Sequence, residues 1–193
     1  MSICNKVIIS LLAGLVSLSL MGCGEPKEVS KWDMTLRGID DDNDGIRDDI
    51  TEKMKKEFAN QLTEDEEKVM IQHAQIFQRI LDMDLTDPKN KSAILLTRQH
   101  LDDAMNCAIY IFGDDLRYHN YSIMLTQLKQ WYFNTQIRKD HRKEFSIRSV
   151  EYHYKAIPLE GVYTCDFEIS EQTKKLIAIR EELKKQQNSN ENK

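Results

Sequence analysis

Six aspartates fall within ten residues, Asp40, Asp41, Asp42, Asp44, Asp48 and Asp49, with Gly45 among them. Asp40, Asp42 and Asp44 occupy alternate positions. Carboxylates spaced this way wrap one hard cation only if the backbone then turns sharply. Gly45 allows that turn, because it lacks the Cβ that disfavours positive φ. Calcium takes roughly six to eight oxygens, so the carbonyl of Ile46 and the carboxylate of Asp48 are the next candidate ligands. Without a cation the six like charges repel. The competing reading is a solvated acidic turn whose Asp48 and Asp49 cap the next helix and complement its dipole.

The first half of this stretch matches the EF-hand signature, and the second half departs from it. The twelfth position carries Thr51 where that motif has a glutamate, with Asp49 and Glu52 close by to supply a last carboxylate. Glu52 completes the expected ligand set. No clear helix leads in, since Met34 to Gly38 is short. The stretch from Asp40 to Asp48 resembles the loops of thrombospondin type 3-like repeats, which occur singly in bacterial exported proteins. The resemblance covers the loop alone and implies calcium held in a structural site. A second likeness is looser. Asn134-Thr135-x-x-Arg138, with the Asp-rich loop ending Arg47-Asp48-Asp49, resembles uncharacterised helical exported proteins, and it implies no activity.

The N-terminus reads as an address. Lys6 precedes a 15-residue apolar run, Val7 to Met21, short of the roughly 20 residues a membrane-spanning helix needs. It ends in Leu20-Met-Gly-Cys23, which resembles the lipobox of bacterial lipoproteins. That resemblance implies cleavage before Cys23, acylation of its thiol and stable anchoring by several acyl chains. Gly24 rather than Asp follows, so the expected location is the outer membrane, facing the periplasm. Residues 1–22 are then a signal peptide and 23–38 a lipidated tether. Removing residues 1–22 takes away only Lys6 among the charged residues, moving the formal net charge from −5 to −6. An acidic chain is a poor ligand for nucleic acid or anionic lipid surfaces. Cys4 leaves with the signal and Cys23 is acylated. The remaining pair, Cys107 and Cys165, is expected to form a disulfide in an oxidising compartment.

The elements that must position these groups are helical. The chain has only seven Gly and three Pro in 193 residues, which suits helices better than a turn-rich β fold. Ile50, Met54 and Phe58 mark a first helix starting on the acidic loop. Thr63-Glu-Asp-Glu66 is a capping box that opens a second, to about Leu81. Asp87-Pro88 starts a third, to about Phe112, and a fourth runs from Leu116 to Phe133. Asn134-Thr135 breaks or caps. Ile137, His141 and Phe145 fit a helical face, whereas Val150, Tyr152 and Tyr154 alternate like a strand. Val162 to Phe167 reads as extended, and Ser170 caps a last helix. The expectation is a mainly α, single domain of about five helices over residues 39–186, with a short β-hairpin near the C-terminal third. Residues 187–193 read as a disordered tail.

No strong catalytic constellation appears. His100 lies near Asp102 and Asp103, but on different helix faces, and no nucleophile elbow accompanies them. His73 reads as a packed or exposed histidine. The cluster Trp131-Tyr132-Phe133 reads as core. The sequence therefore points to a lipid-anchored envelope protein with a structural calcium loop, a binding module for an envelope partner. The alternative is an envelope hydrolase built around His73 or His100.

Overall fold

The computed structural model describes residues 30–113, 116–155 and 165–191. Cys23 and the signal segment lie outside these residues. Six α-helices appear among the described residues: α1 Asp48–Phe58, α2 Glu64–Asp82, α3 Lys91–Phe112, α4 Leu116–Tyr132, α5 Gln136–Glu151 and α6 Glu171–Glu191. Two short 3-10 turns, Lys31–Asp33 and Pro88–Asn90, precede α1 and α3.

Helix starts follow their local signals. The Thr63 N–H and hydroxyl both donate to Glu66 Oε2, at 2.7 and 2.8 Å, the reciprocal half of a capping box. The Asp87 carboxylate accepts from the Lys89 N–H at 2.9 Å. Thr135 caps α5 through the Arg138 N–H, and Ser170 caps α6 through the Thr173 N–H.

Helix α2 is the centre of the domain. It packs on α3, α4 and α5, and Val69, Met70, Ala74, Ile76, Phe77, Ile80 and Leu81 are all buried along it. So broad an apolar face suits a helix covered on several sides. Tyr121, Leu125, Leu128 and Tyr132 form the inward stripe of α4, and Tyr132 and Phe133 each meet Phe77 edge to face. The aromatic cluster is thus core, with Trp131 stacked on Phe58 of α1. Among the described residues the core runs from Leu36 to Ile169. Cys107 and Cys165 are joined, with Cα atoms 4.9 Å apart, which ties the segment before α6 to the buried face of α3.

The mainly α class is as expected, and four details differ. No strand occurs among the described residues, so the hairpin is not supported there. Residues 156–164, including the start of the expected extended piece, lie outside them. Helix α5 continues to Glu151 and places Val150 outward, 76% exposed. The chain then turns at His153 in the left-handed region (φ 60°). Ile137, expected to face inward, is exposed, and the inward position belongs to its neighbour Arg138. The last helix carries on to Glu191 through residues expected to be a tail. Its Lys, Glu and Gln residues are good helix formers.

Helix α6 is held at its start by a buried acid. Asp65, 1% exposed, accepts at Oδ2 from the Ser170 N–H (3.0 Å) and hydroxyl (2.6 Å), and at Oδ1 from Lys68 Nζ (3.2 Å). Burial alone would raise its pKa. The Ser170 and Thr173 hydroxyls, the Ser170 N–H and the Lys68 ammonium outweigh it and pull the carboxyl down to about 2. A folded pKa below the unfolded one stabilises above about pH 4, and that stability is lost as pH falls toward 2. Asp65→Asn is expected to cost about 2 kcal/mol at pH 7. Denaturant titrations across pH should show the gap to wild type closing by pH 2. A gap that persists unchanged at pH 2 would mean the carboxylate's charge is not what holds α6.

Candidate metal centre

The acidic loop lies between the 30–38 segment and α1. It is closed by its own polar groups. Gly45 donates its N–H to Asp40 Oδ2 at 3.1 Å, Asp41 its N–H to Asp48 Oδ1 at 3.2 Å, and Asp48 its N–H to the Ile39 carbonyl at 3.0 Å. Gly45 has φ +81°, the left-handed turn expected at that position. The loop is pinned from outside by Gln75 of α2, whose Nε2 donates to the Asp44 carbonyl at 3.1 Å. It is pinned from beneath by Ile46, whose side chain is 4% exposed within the hydrophobic core.

This folding brings Asp40, Asp42 and Asp48 together. One carboxylate oxygen from each lies within 4.8 Å of the others. Oδ1 of Asp40 is buried and has no hydrogen-bond partner among the described residues. Burial pushes the Asp40 carboxyl above its ordinary range, against the pull of the Gly45 N–H and with repulsion from Asp44 and Asp42 adding to it. All three groups are oxygen donors on one short loop, a donor set that suits a hard cation.

The side chains of Asp44 and Glu52 are not among the three that converge. Asp44 Oδ1 accepts from the Ile46 N–H at 2.8 Å, an Asx turn within the loop. Glu52 is exposed on α1. Asp49 is committed elsewhere. Its two oxygens accept from Arg47 Nε and Nη2, each at 2.8 Å, and Lys53 Nζ adds a third bond at 2.8 Å. Thr51 Oγ1, on the first turns of α1, is buried without a partner among the described residues.

Two residues that sequence reasoning passed over hold the loop in place. Arg47 and Arg138 are the largest fully buried side chains among the described residues, both 0% exposed. Arg47 pairs with Asp49 and also donates Nη1 to the Tyr132 carbonyl at 3.3 Å. Gly38 passes directly over it. A Cβ at Gly38 would collide with the Arg47 side chain, and its φ of +79° favours glycine independently. Arg138 uses all five of its N–H bonds. They reach the carbonyls of Trp32, Thr35 and Leu36 and the side chains of Asp33 and Asn134. Residues 32–36 are thereby clamped to α5. The sequence carried one hint of each, Gly38 beside the loop and the run Asn134-Thr135-x-x-Arg138.

The histidines have other employment. His73 is 1% exposed, and its Nδ1 sits 3.1 Å from the Val69 carbonyl and its Nε2 3.0 Å from the Tyr121 hydroxyl. The first contact requires Nδ1–H, so Nε2 accepts from the phenol. Burial holds this ring neutral, with a pKa near 4. His100 Nδ1 lies 2.7 Å from Arg79 Nη1 and must accept from that guanidinium. Both imidazole acceptors are therefore engaged within the fold. Compared with known proteins, the chain matches no family model, no curated protein and no solved structure.

Proposed function

We propose that this chain is a lipid-anchored cell-envelope protein whose loop holds one calcium ion, and that its helical domain is a binding module for an envelope partner. The observation that carries the metal is the convergence of Asp40, Asp42 and Asp48 together with the buried, unpartnered Oδ1 of Asp40. A buried carboxylate oxygen without a donor is costly, and a cation among the three removes that cost. Asp40, Asp42 and Asp48 supply the first oxygens. Asp44, the Ile46 carbonyl and Glu52 are the further candidates. A wrapped, irregular oxygen set favours calcium over magnesium, which demands near-ideal octahedral geometry.

The anchor rests on Leu20-Met-Gly-Cys23 at the end of its apolar run. Among the described residues no helix is long and apolar enough to cross a membrane. The binding-module reading draws on α6, where Leu176, Ile179 and Leu183 are each at least half exposed along one side.

Calorimetric titration of calcium into the chain from residue 24 tests the proposal, wild type beside Asp40→Asn/Asp42→Asn. Asparagine keeps an acceptor for the loop N–H groups and removes charge. Wild type is expected to bind and, at a hundredfold excess over Kd, to gain about 2.7 kcal/mol. The corresponding rise in Tm is roughly 5–10 °C. The double variant is expected to show neither, and to melt above calcium-free wild type because repulsion is relieved. Absence of heat in wild type, or equal shifts in both proteins, removes the metal. The same proteins serve as bait on envelope extracts with calcium present. A protein retained by wild type and lost with the loop charges supports the binding module, and an empty wild-type bait removes it.

A further inference from the structure

Away from the loop, a cavity of about 460 Å³ opens between α2, α3, α4 and α5. Its inner walls are apolar, with Phe77, Leu101, Met105, Leu125 and Phe145. Its charged groups are of mostly one sign. Arg98, Lys129 and Arg142 line it from three different helices, against the single carboxylate of Asp102. That carboxylate is already engaged, accepting from Arg98 Nη2 at 3.1 Å and from the Tyr154 hydroxyl at 2.7 Å. His73, neutral as described above, adds no charge.

Lys129 and Arg142 are the unmatched pair. Among the described residues no carboxylate forms an ion pair with either. Both line the cavity, Lys129 half-buried on α4 and Arg142 exposed on α5. Burial, and then the charge of Arg142, hold the Lys129 ammonium below the usual lysine range. Arg142 lies over the Phe133 ring, 5.0 Å from its centroid, its planar group at the edge of the apolar wall. The chain as a whole carries a net charge of −5, so two cations without acids are a local departure. Two cations without acids at the edge of an apolar hollow leave the empty site with unbalanced positive charge. An anion placed between them offsets it, and more so where water is partly excluded.

We propose that this cavity binds a single-chain amphiphile with an anionic head, the head between Lys129 and Arg142 and the acyl chain along Phe77, Leu125 and Phe145. The volume falls within the range of roughly 300–1,000 Å³ common for small-molecule sites. A bare inorganic anion would leave the apolar wall unused. An uncharged chain would leave the two cations unmatched. The amphiphile satisfies both features at once, and the inference is independent of the calcium reading.

The test uses the chain from residue 24, which contains every core residue from Leu36 to Ile169, purified without detergent. Dodecanoate below its micelle threshold is titrated calorimetrically beside dodecyltrimethylammonium, which has the same chain and the opposite charge, and beside inorganic phosphate. Dodecanoate is expected to bind saturably, the cationic chain at least about tenfold more weakly, and phosphate without saturable heat. Lys129→Gln/Arg142→Gln is expected to lose about tenfold or more in dodecanoate affinity, the scale of one or two charge-assisted contacts. It should melt no lower than wild type. Leu101→Trp, which narrows the hollow and leaves both cations in place, is expected to lose dodecanoate binding as well. Undetectable dodecanoate binding, equal affinity for the two chains, or undiminished affinity in the charge variant overturns the proposal. Phosphate saturating as tightly as dodecanoate also overturns it, leaving a simple anion site.

Discussion

Replacing Arg138 with alanine is expected to cost about 3–5 kcal/mol, the penalty for breaking a buried charged network on one side. The side chain is 0% exposed, and its five N–H bonds end on groups of the 32–36 segment and on Asn134. Burial works against the guanidinium, and the Arg47 charge adds to that. The Asp33 carboxylate, bonded to Nη1 at 2.6 Å, works for it. Without Arg138, three backbone carbonyls lose its N–H groups together, and Asp33 keeps only the Asn134 Nδ2 donor at 2.8 Å. The segment then has more to gain from water than from α5. The expected result is a lower denaturation midpoint together with rapid hydrogen exchange confined to residues 30–38, while the helices stay protected. Arg138→Lys should recover only part of the loss, because one ammonium has three donors and no planar fork. A midpoint within experimental error of wild type for Arg138→Ala would show that the clamp does not hold the segment.

Asp49→Ala is expected to be comparably damaging, again about 3–5 kcal/mol, for the complementary reason. It strands the Arg47 guanidinium, which has no access to water. In the intact protein burial tends to raise the Asp49 pKa, but the paired Arg47 and Lys53 charges hold it below the ordinary carboxylate range. The double replacement Arg47→Met/Asp49→Leu should cost less than Asp49→Ala alone, because apolar groups of similar volume can substitute for a buried pair. Denaturant titrations of the singles and the double, with and without calcium, separate two roles. If Asp49 is structural, its loss lowers stability equally in both conditions. If Asp49→Ala costs under about 1 kcal/mol, or abolishes only the calcium-dependent part, the ion-pair account is wrong.

Much of the fold was legible because its signals are local. Thr63 with Glu66, Asp87 before Pro88, Thr135 and Ser170 each announce a helix start within four residues, and each does so by satisfying a free N–H in its own first turn. The acidic loop was legible for the same reason, with Gly45 in the turn its spacing demanded. What escaped was long-range. Arg47 and Arg138 read as surface cations in any hydrophobicity pattern. Their burial depends on acceptors as much as 106 residues away in sequence, as between Arg138 and Trp32. On α5 the expected face held at Phe145, which is buried, and failed at Ile137, where Arg138 takes the inward position. Which of the loop carboxylates converge was equally invisible, since Asp40, Asp42 and Asp48 come together only once the loop is folded, and alternate spacing alone does not single them out from Asp44.

The position of the Arg138 clamp has a mechanical meaning. Four of its five bonds grip the chain just before the acidic loop, and they grip it to a helix more than 100 residues further along the sequence. A pull applied to the chain ahead of Ser30 is therefore borne at α5, across several bonds loaded in parallel, before any of it reaches Gly38 or the aspartates. The segment works as a strain relief, the part of a cable fitting that takes the load so that the connection behind it does not.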